Sequence, residues 1–416
     1  MTSTRPLTLP VPARAVRAVG VLLALAVTVA TTLVVAAAPP AQAATLQQVA
    51  SFGSNPGALT MFSYRPDGLP SGAPVVVELH GCTQDATTYF TSSGWRTFAD
   101  RHGFALLLAQ QSSANNSNKC FNWFEPGDIT RGQGEAASIA QMVDYAAANY
   151  GSDSRRVYVT GLSAGAAMTA VMLAAYPDKF AGGSINAGIP YRCATTMTAA
   201  FSCMNPGVDK TPAAWGDLVR GAYAGWSGAR PKVAIWHGQS DTTVAPLNGV
   251  ELRDQFTNVN GVSQTPTSTG TIAPGVTWED YGGRVRLTKV AGMSHGTAVD
   301  PGTAANQCGT AGAYFIDTVC AAYYDVAFFG LDGGTPPTST GTTTTTTTPS
   351  PTTTTTTSAP APTCITSSNY DHVVAGRAYQ SGGYAYAVGS NQNLGLYNTF
   401  YTATLKQSSP GYWEKC

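Results

Sequence analysis

The pentapeptide Gly161-Leu162-Ser163-Ala164-Gly165 puts a serine among small residues. The apolar run RVYVT before it (156–160) has the character of a strand, and AGAAMTAVMLAAY (164–176) that of a helix. A G-x-S-x-G between strand and helix is the pattern of a nucleophile elbow, where the tight turn tolerates only small neighbours and lifts the hydroxyl above a sheet. A serine hydroxyl attacks only when a base takes its proton, and the base needs an acid to orient it. Of five histidines, only His237, His295 and His372 follow Ser163. In hydrolases with this elbow the chain order is Ser, then Asp or Glu, then His. Asp241, in the loop after the apolar run KVAIW (232–236), is the preferred acid; its alternative is a helix cap ahead of residues 244–256. His295, after the run 285–290 and the loop Ala291-Gly292-Met293-Ser294, is the preferred base. Choosing His237 would put the acid out of order and leave His295 without a task.

Acyl transfer also needs donors aimed at the oxyanion. The backbone N–H of Ala164 is one, and the loop His80-Gly81-Cys82-Thr83-Gln84 after PVVVEL (74–79) should supply another, from Cys82. His80 either supports that loop or is a hydrogen-bonded core histidine. Trp123 and Phe124 either border the cleft or pack as core aromatics. Gly132-Gln133-Gly134 lacks the Gly-Lys-Ser/Thr of a phosphate loop and is expected to start a helix.

These residues need a scaffold. The runs 74–79, 104–110, 156–160 and 232–236 are short and apolar, as in buried parallel strands, and helical patterns at 134–150 and 164–176 lie among them. Alternating strands and helices predict an α/β fold, a mostly parallel sheet with helices on both faces, which gathers functional residues at the strands' carboxyl ends.

Composition narrows the setting. Charged residues are 11%, with 23 basic and 23 acidic side chains, too few clustered cations for a nucleic-acid partner. Arg5, Arg14 and Arg17 precede an apolar stretch (18–38) and Ala41-Gln42-Ala43, so residues 1–43 are expected to be a signal peptide, removed before Ala44, of a secreted protein with no membrane attachment after cleavage; the alternative is a retained anchor. Eight cysteines without a C-x-x-C pair favour disulfides over a zinc site, and proximity pairs Cys193 with Cys203, Cys308 with Cys320 and Cys364 with Cys416, leaving Cys82 with Cys120. No metal and no organic cofactor is expected.

From 335 to 363, 17 of 29 residues are Thr and six are Pro, so residues 333–363 are expected to be an extended linker after a catalytic domain of residues 44–332. Residues 364–416 hold nine aromatics, with alternation at 384–388, and form a candidate β-rich module stapled by Cys364 and Cys416. At least half of those aromatics are expected in the module's small core, and the others on a polymer-binding surface.

Leu79-His80-Gly81-Cys82-Thr83-Gln84, Lys119-Cys120-Phe121-Asn122-Trp123-Phe124, Gly161-Leu162-Ser163-Ala164-Gly165 and His237-Gly238-Gln239-Ser240-Asp241 together resemble the extracellular polyhydroxybutyrate depolymerase family of esterases, which includes feruloyl and acetylxylan esterases. The segment 364–416, with Asn369-Tyr370-Asp371-His372, Ala375-Gly376-Arg377-Ala378 and Gly389-Ser390-Asn391-Gln392, is similar to the substrate-binding domain of secreted short-chain polyhydroxyalkanoate depolymerases. The resemblance implies the α/β-hydrolase fold, a Ser163, Asp241, His295 triad working through an acyl-enzyme, and an oxyanion site at 80–82. It implies an insoluble polyester substrate, or plant cell-wall polysaccharide for the esterase relatives. His372 and Arg377 match the binding-domain pattern, and Trp123 is a candidate substrate contact. A polymer-binding protein with an inactive hydrolase domain is the alternative of another class.

Overall fold

The computed structural model describes residues 44–333, 364–381, 383–397, 401–409 and 412–416. The expected signal peptide (1–43) and almost all of the expected linker lie outside the described residues. The chain divides into two compact units, Met1–Thr342 and Thr343–Cys416.

In the first unit, β1 (Gln47–Val49) and β2 (Thr60–Tyr64) lead into β3 (Val75–Leu79), and α1 (Ala86–Ser92) and α2 (Trp95–His102) lead on to β4 (Ala105–Gln110). Helices α3 (Pro126–Ile129) and α4 (Gly134–Tyr150) precede β5 (Val157–Leu162), which runs into α5 (Ala164–Ala175) and then β6 (Gly182–Asn186). Helices α6 (Met197–Met204) and α7 (Pro212–Ala222) precede β7 (Lys232–Gly238), and α8 (Leu247–Asn260) precedes β8 (Ser268–Ala273), β9 (Val276–Tyr281) and β10 (Val285–Val290). The small ladder of β11 (Thr297–Val299) with β12 (Phe315–Asp317) and α9 (Ala321–Phe329) complete the unit.

The large sheet has the order β1-β2-β4-β3-β5-β6-β7-β10-β9-β8. Its six central strands, β4 to β10 in that order, pair in parallel, and antiparallel strands extend both edges. Successive side chains on a strand face opposite sides. Val75, Val77 and Leu79 therefore join the core formed with α4, α5, α7 and α8, while Val76 packs with α1, α2 and α9. Strands buried on both faces tend to be apolar throughout, which makes most of the central ones conspicuous in the sequence, although β6, Gly182-Gly183-Ser184-Ile185-Asn186, is buried throughout without being an apolar run. Glu78 is an exception: it is buried and in register with Thr160 and, through it, Ser184.

The second unit contains two antiparallel sheets. One pairs β13 (Ile365–Ser368), β17 (Thr402–Ser409) and β18 (Tyr412–Lys415); the other pairs β14 (Ala378–Ser381), β15 (Tyr384–Ala387) and β16 (Asn393–Leu396). Helix α10 (Asn369–Val374) connects β13 to β14, and Cys364 is bonded to Cys416. Its buried core is Ala378, Ala385, Ala387, Leu394 and Leu405. The expectation that half the aromatics sit in this core is corrected: Tyr370, Tyr379, Tyr384, Tyr401 and Tyr412 are exposed, and Tyr386, Tyr397 and Trp413 are half-buried. Small alanines fill the inward face of β14 and β15, so the tyrosines alternating with them are turned outward.

Candidate active site

Ser163 sits between the last residue of β5 and the first of α5, with φ 56° and ψ −118°. That left-handed conformation is costly for a residue with a Cβ and is held by its surroundings. The Ser163 N–H donates to the Asn186 carbonyl at 3.0 Å, and its own carbonyl accepts from the Ala167 N–H at 2.8 Å. Asn186 Nδ2 donates to the Gly161 carbonyl at 3.2 Å, so one residue of β6 holds the chain twice as it enters the turn. The flanking glycines are needed for space. A Cβ on Gly161 would come within 2.4 Å of Gly165, and one on Gly165 within 2.2 Å of the Leu79 carbonyl oxygen.

Asp241 follows β7, and its side chain is fully buried. Its Oδ1 accepts from the N–H groups of Thr243 and Val244, both at 2.9 Å, and its Oδ2 accepts from His295 Nδ1 at 2.7 Å. Burial raises the carboxyl pKa, but the hydrogen bond and charge of His295 and the Val244 amide outweigh it, so Asp241 titrates below the ordinary Asp value. Helix α8 starts only at Leu247, with Pro246 as its cap residue, so Asp241 caps a turn and not that helix. The ionised carboxylate is acceptor-only, which fixes the His295 proton on Nδ1 and leaves Nε2 as the basic nitrogen of the neutral ring. The loop carrying His295 is tied to the end of β7 by Gln239 N–H to Val290 O at 2.9 Å and Ser240 N–H to Met293 O at 3.0 Å.

His237 is placed elsewhere. It is buried, its Nε2 donates to the Val244 carbonyl at 2.9 Å, and burial lowers its pKa, so it packs behind Asp241 as a neutral ring.

Opposite the elbow, the segment after β3 turns back through Gln84 N–H to Gly81 O at 3.3 Å, while the Gln84 side chain accepts from the Gly81 N–H at 2.9 Å. Thr83, at φ 66°, donates its N–H to Asn118 O, and Cys82 is bonded to Cys120. His80 is buried beneath this turn. Its Nε2 accepts the Gln111 N–H at 3.1 Å, which leaves Nδ1 to donate to Gly81 O at 2.7 Å. Burial pushes the His80 pKa down to about 4, so the ring is a neutral brace. Glu135, on the first turn of α4, accepts from Gln111 Nε2 and from the Asn122 N–H at 2.9 Å and so supports the segment around Cys120.

Ser163, Ala164, Cys82 and His295 line one cavity of about 800 Å³. As the first residue of α5, Ala164 has an N–H without an intrahelical acceptor. Trp123 and Phe124 are both buried and cavity-lining, packed edge-on with centroids 5.3 Å apart. Sequence reasoning missed the polar wall of Asn115, Asn116, Ser117 and Asn118, and the apolar wall of Ile189, Met197, Ala200, Phe201, Met204 and Tyr314. A signal existed for the part on 197–204: Met197, Phe201 and Met204 sit in a stretch opened by Thr196 and too short to be a buried core helix. The remaining cysteines pair as Cys193–Cys203 and Cys308–Cys320. Among the described residues no cluster of three or more His, Cys, Asp or Glu side chains could hold a metal ion.

His372 and Arg377 belong to the second unit. His372 is buried, donates Nε2–H to Ala403 O at 2.8 Å and accepts from Arg377 Nε at 2.9 Å, while the Arg377 guanidinium lies 5.9 Å from the Trp413 ring centroid. The pair braces the module from inside. Its outward face carries Tyr379 and Tyr386, whose rings stack at 5.6 Å, and Tyr384 two residues away on the same side of β15.

A family model described as Esterase PHB depolymerase matches residues 60–281. The chain is 59% identical over 293 residues to poly(3-hydroxyalkanoate) depolymerase C of Paucimonas lemoignei, covering 69% of this chain and 70% of that one. It is 39% identical to an acetylxylan esterase of Coprinopsis cinerea, covering 62% and 71%, and 38% identical to feruloyl esterase B of Thermothelomyces thermophilus, covering 61% and 88%. Among solved structures, an acetyl xylan esterase from Aspergillus awamori aligns with a TM-score of 0.61 and 30% identity over 69% of this chain and 99% of that one.

Proposed function

The chain belongs to the Esterase PHB depolymerase family and is a carboxylic ester hydrolase, and from that premise we propose that it is a secreted depolymerase of poly(3-hydroxybutyrate) acting through Ser163, His295 and Asp241. The mechanism is supported chiefly by the 2.7 Å bond from His295 to a buried, ionised Asp241 beside the cavity that Ser163 enters. Ser163 Oγ attacks the ester carbonyl while His295 Nε2 takes its proton, and the N–H groups of Cys82 and Ala164 receive the oxyanion. The imidazolium then protonates the departing hydroxyl end of the polymer, leaving an acyl-enzyme. Water, deprotonated by the same nitrogen, releases the acid and restores the serine.

Polyester as the substrate is supported by the 59% identity to a poly(3-hydroxyalkanoate) depolymerase, against 38–39% for the xylan and feruloyl esterases. The module of residues 364–416 would hold the enzyme on the polymer through Tyr379, Tyr384 and Tyr386. Four disulfides support an oxidising, extracellular setting. Among the described residues no helix is long and apolar enough to cross a membrane. Clearing of a poly(3-hydroxybutyrate) suspension, run beside acetate and ferulate release from substituted xylan, tests the reading. Clearing is expected; release from xylan with an intact suspension would transfer the assignment to the plant-wall esterases.

A further inference from the structure

Among the described residues of the first unit, three large apolar side chains stand exposed: Met197 at 49%, Phe201 at 64% and Tyr314 at 45%. All three line the cavity containing Ser163 and His295. Single exposed apolar residues scattered over a surface need no explanation, but their confinement to one mouth marks a contact surface.

The structure holds these side chains outward by separate means. Met197 and Phe201 lie one turn apart on α6, so they project from the same side of it. A helix this short is marginal alone. It is fixed by the Thr196 hydroxyl accepting from the Ala199 N–H at 3.2 Å, by Cys193–Cys203, and by Ala200 packing into the cluster that contains Trp123 and Ile189. Tyr314 has φ 65°, a left-handed conformation that is strained for a bulky residue. Its carbonyl is held by the Thr297 N–H at 2.9 Å, and its ring stands edge-on to His295 with centroids 6.0 Å apart. Among the described residues the cavity lining contains no Lys or Arg and one carboxylate, Glu125. An apolar collar without cations around the nucleophile matches an uncharged, apolar chain, and about 800 Å³ exceeds what a single small acyl group would fill.

We propose that Met197, Phe201 and Tyr314 form a collar that seats the polyester segments flanking the scissile ester, so that the catalytic unit holds the chain being cut while the module of residues 364–416 supplies adsorption. The collar rests on the polyester reading above. It acts after the enzyme has reached the surface, and its failure would show in the rate per adsorbed molecule.

The test uses the full chain on poly(3-hydroxybutyrate) films, with 4-nitrophenyl butyrate as the soluble ester. The double variant Met197→Ser/Phe201→Ser should lose about tenfold in the ratio of erosion per adsorbed molecule to soluble-ester turnover, in keeping with the burial of a large apolar side chain. Phe201→Trp keeps a large ring and should retain the wild-type ratio, which separates lost contact from damage to α6. A double-variant ratio within twofold of wild type, or a Phe201→Trp ratio as low as the double variant's, overturns the collar while leaving the polyester assignment standing. Films left intact by the wild-type chain overturn both.

Discussion

His295 and Asp241 are joined by a 2.7 Å hydrogen bond whose acceptor oxygen belongs to a carboxylate with no solvent exposure. Replacing Asp241 with Asn keeps the shape but offers an N–H to His295 Nδ1, so the ring must turn over its tautomer and present Nε2 already protonated. The expected loss in kcat is about three to four orders of magnitude, with little change in fold. Ser163→Ala and His295→Ala should be as severe, and an organophosphate should label Ser163 in the wild type alone. Near-normal ester turnover by His295→Ala together with a folded but inactive His237→Ala would reassign the base.

The segment carrying Cys82 is held by the Cys82–Cys120 bond across a separation of 38 residues. By the chain-entropy account, removing such a crosslink costs about 4 kcal/mol. The Cys82→Ser/Cys120→Ser double variant should therefore melt well below the wild type, and below its melting point kcat should drop more than KM rises, because an oxyanion donor is lost from position. An unchanged kcat would mean that His80 and the Thr83–Asn118 hydrogen bond hold the segment unaided.

Burial raises Glu78 to about 8 and Asp325 to about 7, so near neutrality the folded protein keeps Glu78 mostly protonated and Asp325 about half protonated. Below about pH 4 they are protonated folded or unfolded; as pH rises the unfolded chain releases its protons first, and stability falls progressively until pH passes the folded values. His80 works in the opposite direction: its folded value of about 4 lies below the ordinary 6.5, so stability is lost as pH falls from 6.5 toward 4. The melting temperature should decline between about pH 6.5, above which His80 no longer opposes the loss, and about pH 8, and Glu78→Gln should flatten that slope. Equal slopes in the two proteins would show that Glu78 is already ionised in the folded state.

Most of the parallel centre of the sheet was legible because strands such as Val75–Leu79 and Ala105–Gln110 are covered on both faces and read as apolar runs, whereas β6, Gly182-Gly183-Ser184-Ile185-Asn186, carries no such run and was missed. The antiparallel edge was not: Ser268–Ala273 has no buried residue, so no burial pattern was written into it. The proposed triad of Ser163, Asp241 and His295 could be put forward from sequence because few residue types can do such a task and their order along the chain is constrained. Tyr314 could not, since its place beside His295 depends on a strained loop with no marker of its own. His372 and Arg377 were visible as a pattern, but only the structure shows that His372 is buried and accepts a hydrogen bond from the half-buried Arg377.

With His372 buried, the proposed binding surface of the module falls on the tyrosines. Ala385 and Ala387 occupy the covered side of β15, so Tyr384 and Tyr386 stand on the other side, next to Tyr379 on β14. Flat rings on a sheet suit adsorption to a solid, and a tethered module raises the local concentration of the catalytic unit at a substrate that cannot diffuse to it. Tyr379→Ser/Tyr384→Ser/Tyr386→Ser should abolish adsorption to polymer granules and slow their erosion at least tenfold at low enzyme concentration, while 4-nitrophenyl butyrate turnover is retained. High enzyme concentration should restore much of the erosion rate, because the loss is one of local concentration and not of chemistry. His372→Ala should instead lower the module's melting temperature and release adsorption only as the module unfolds. Undiminished adsorption of the triple variant to polyester would remove this face as the anchor, and adsorption of the wild type to xylan in preference to polyester would point to a plant-wall substrate.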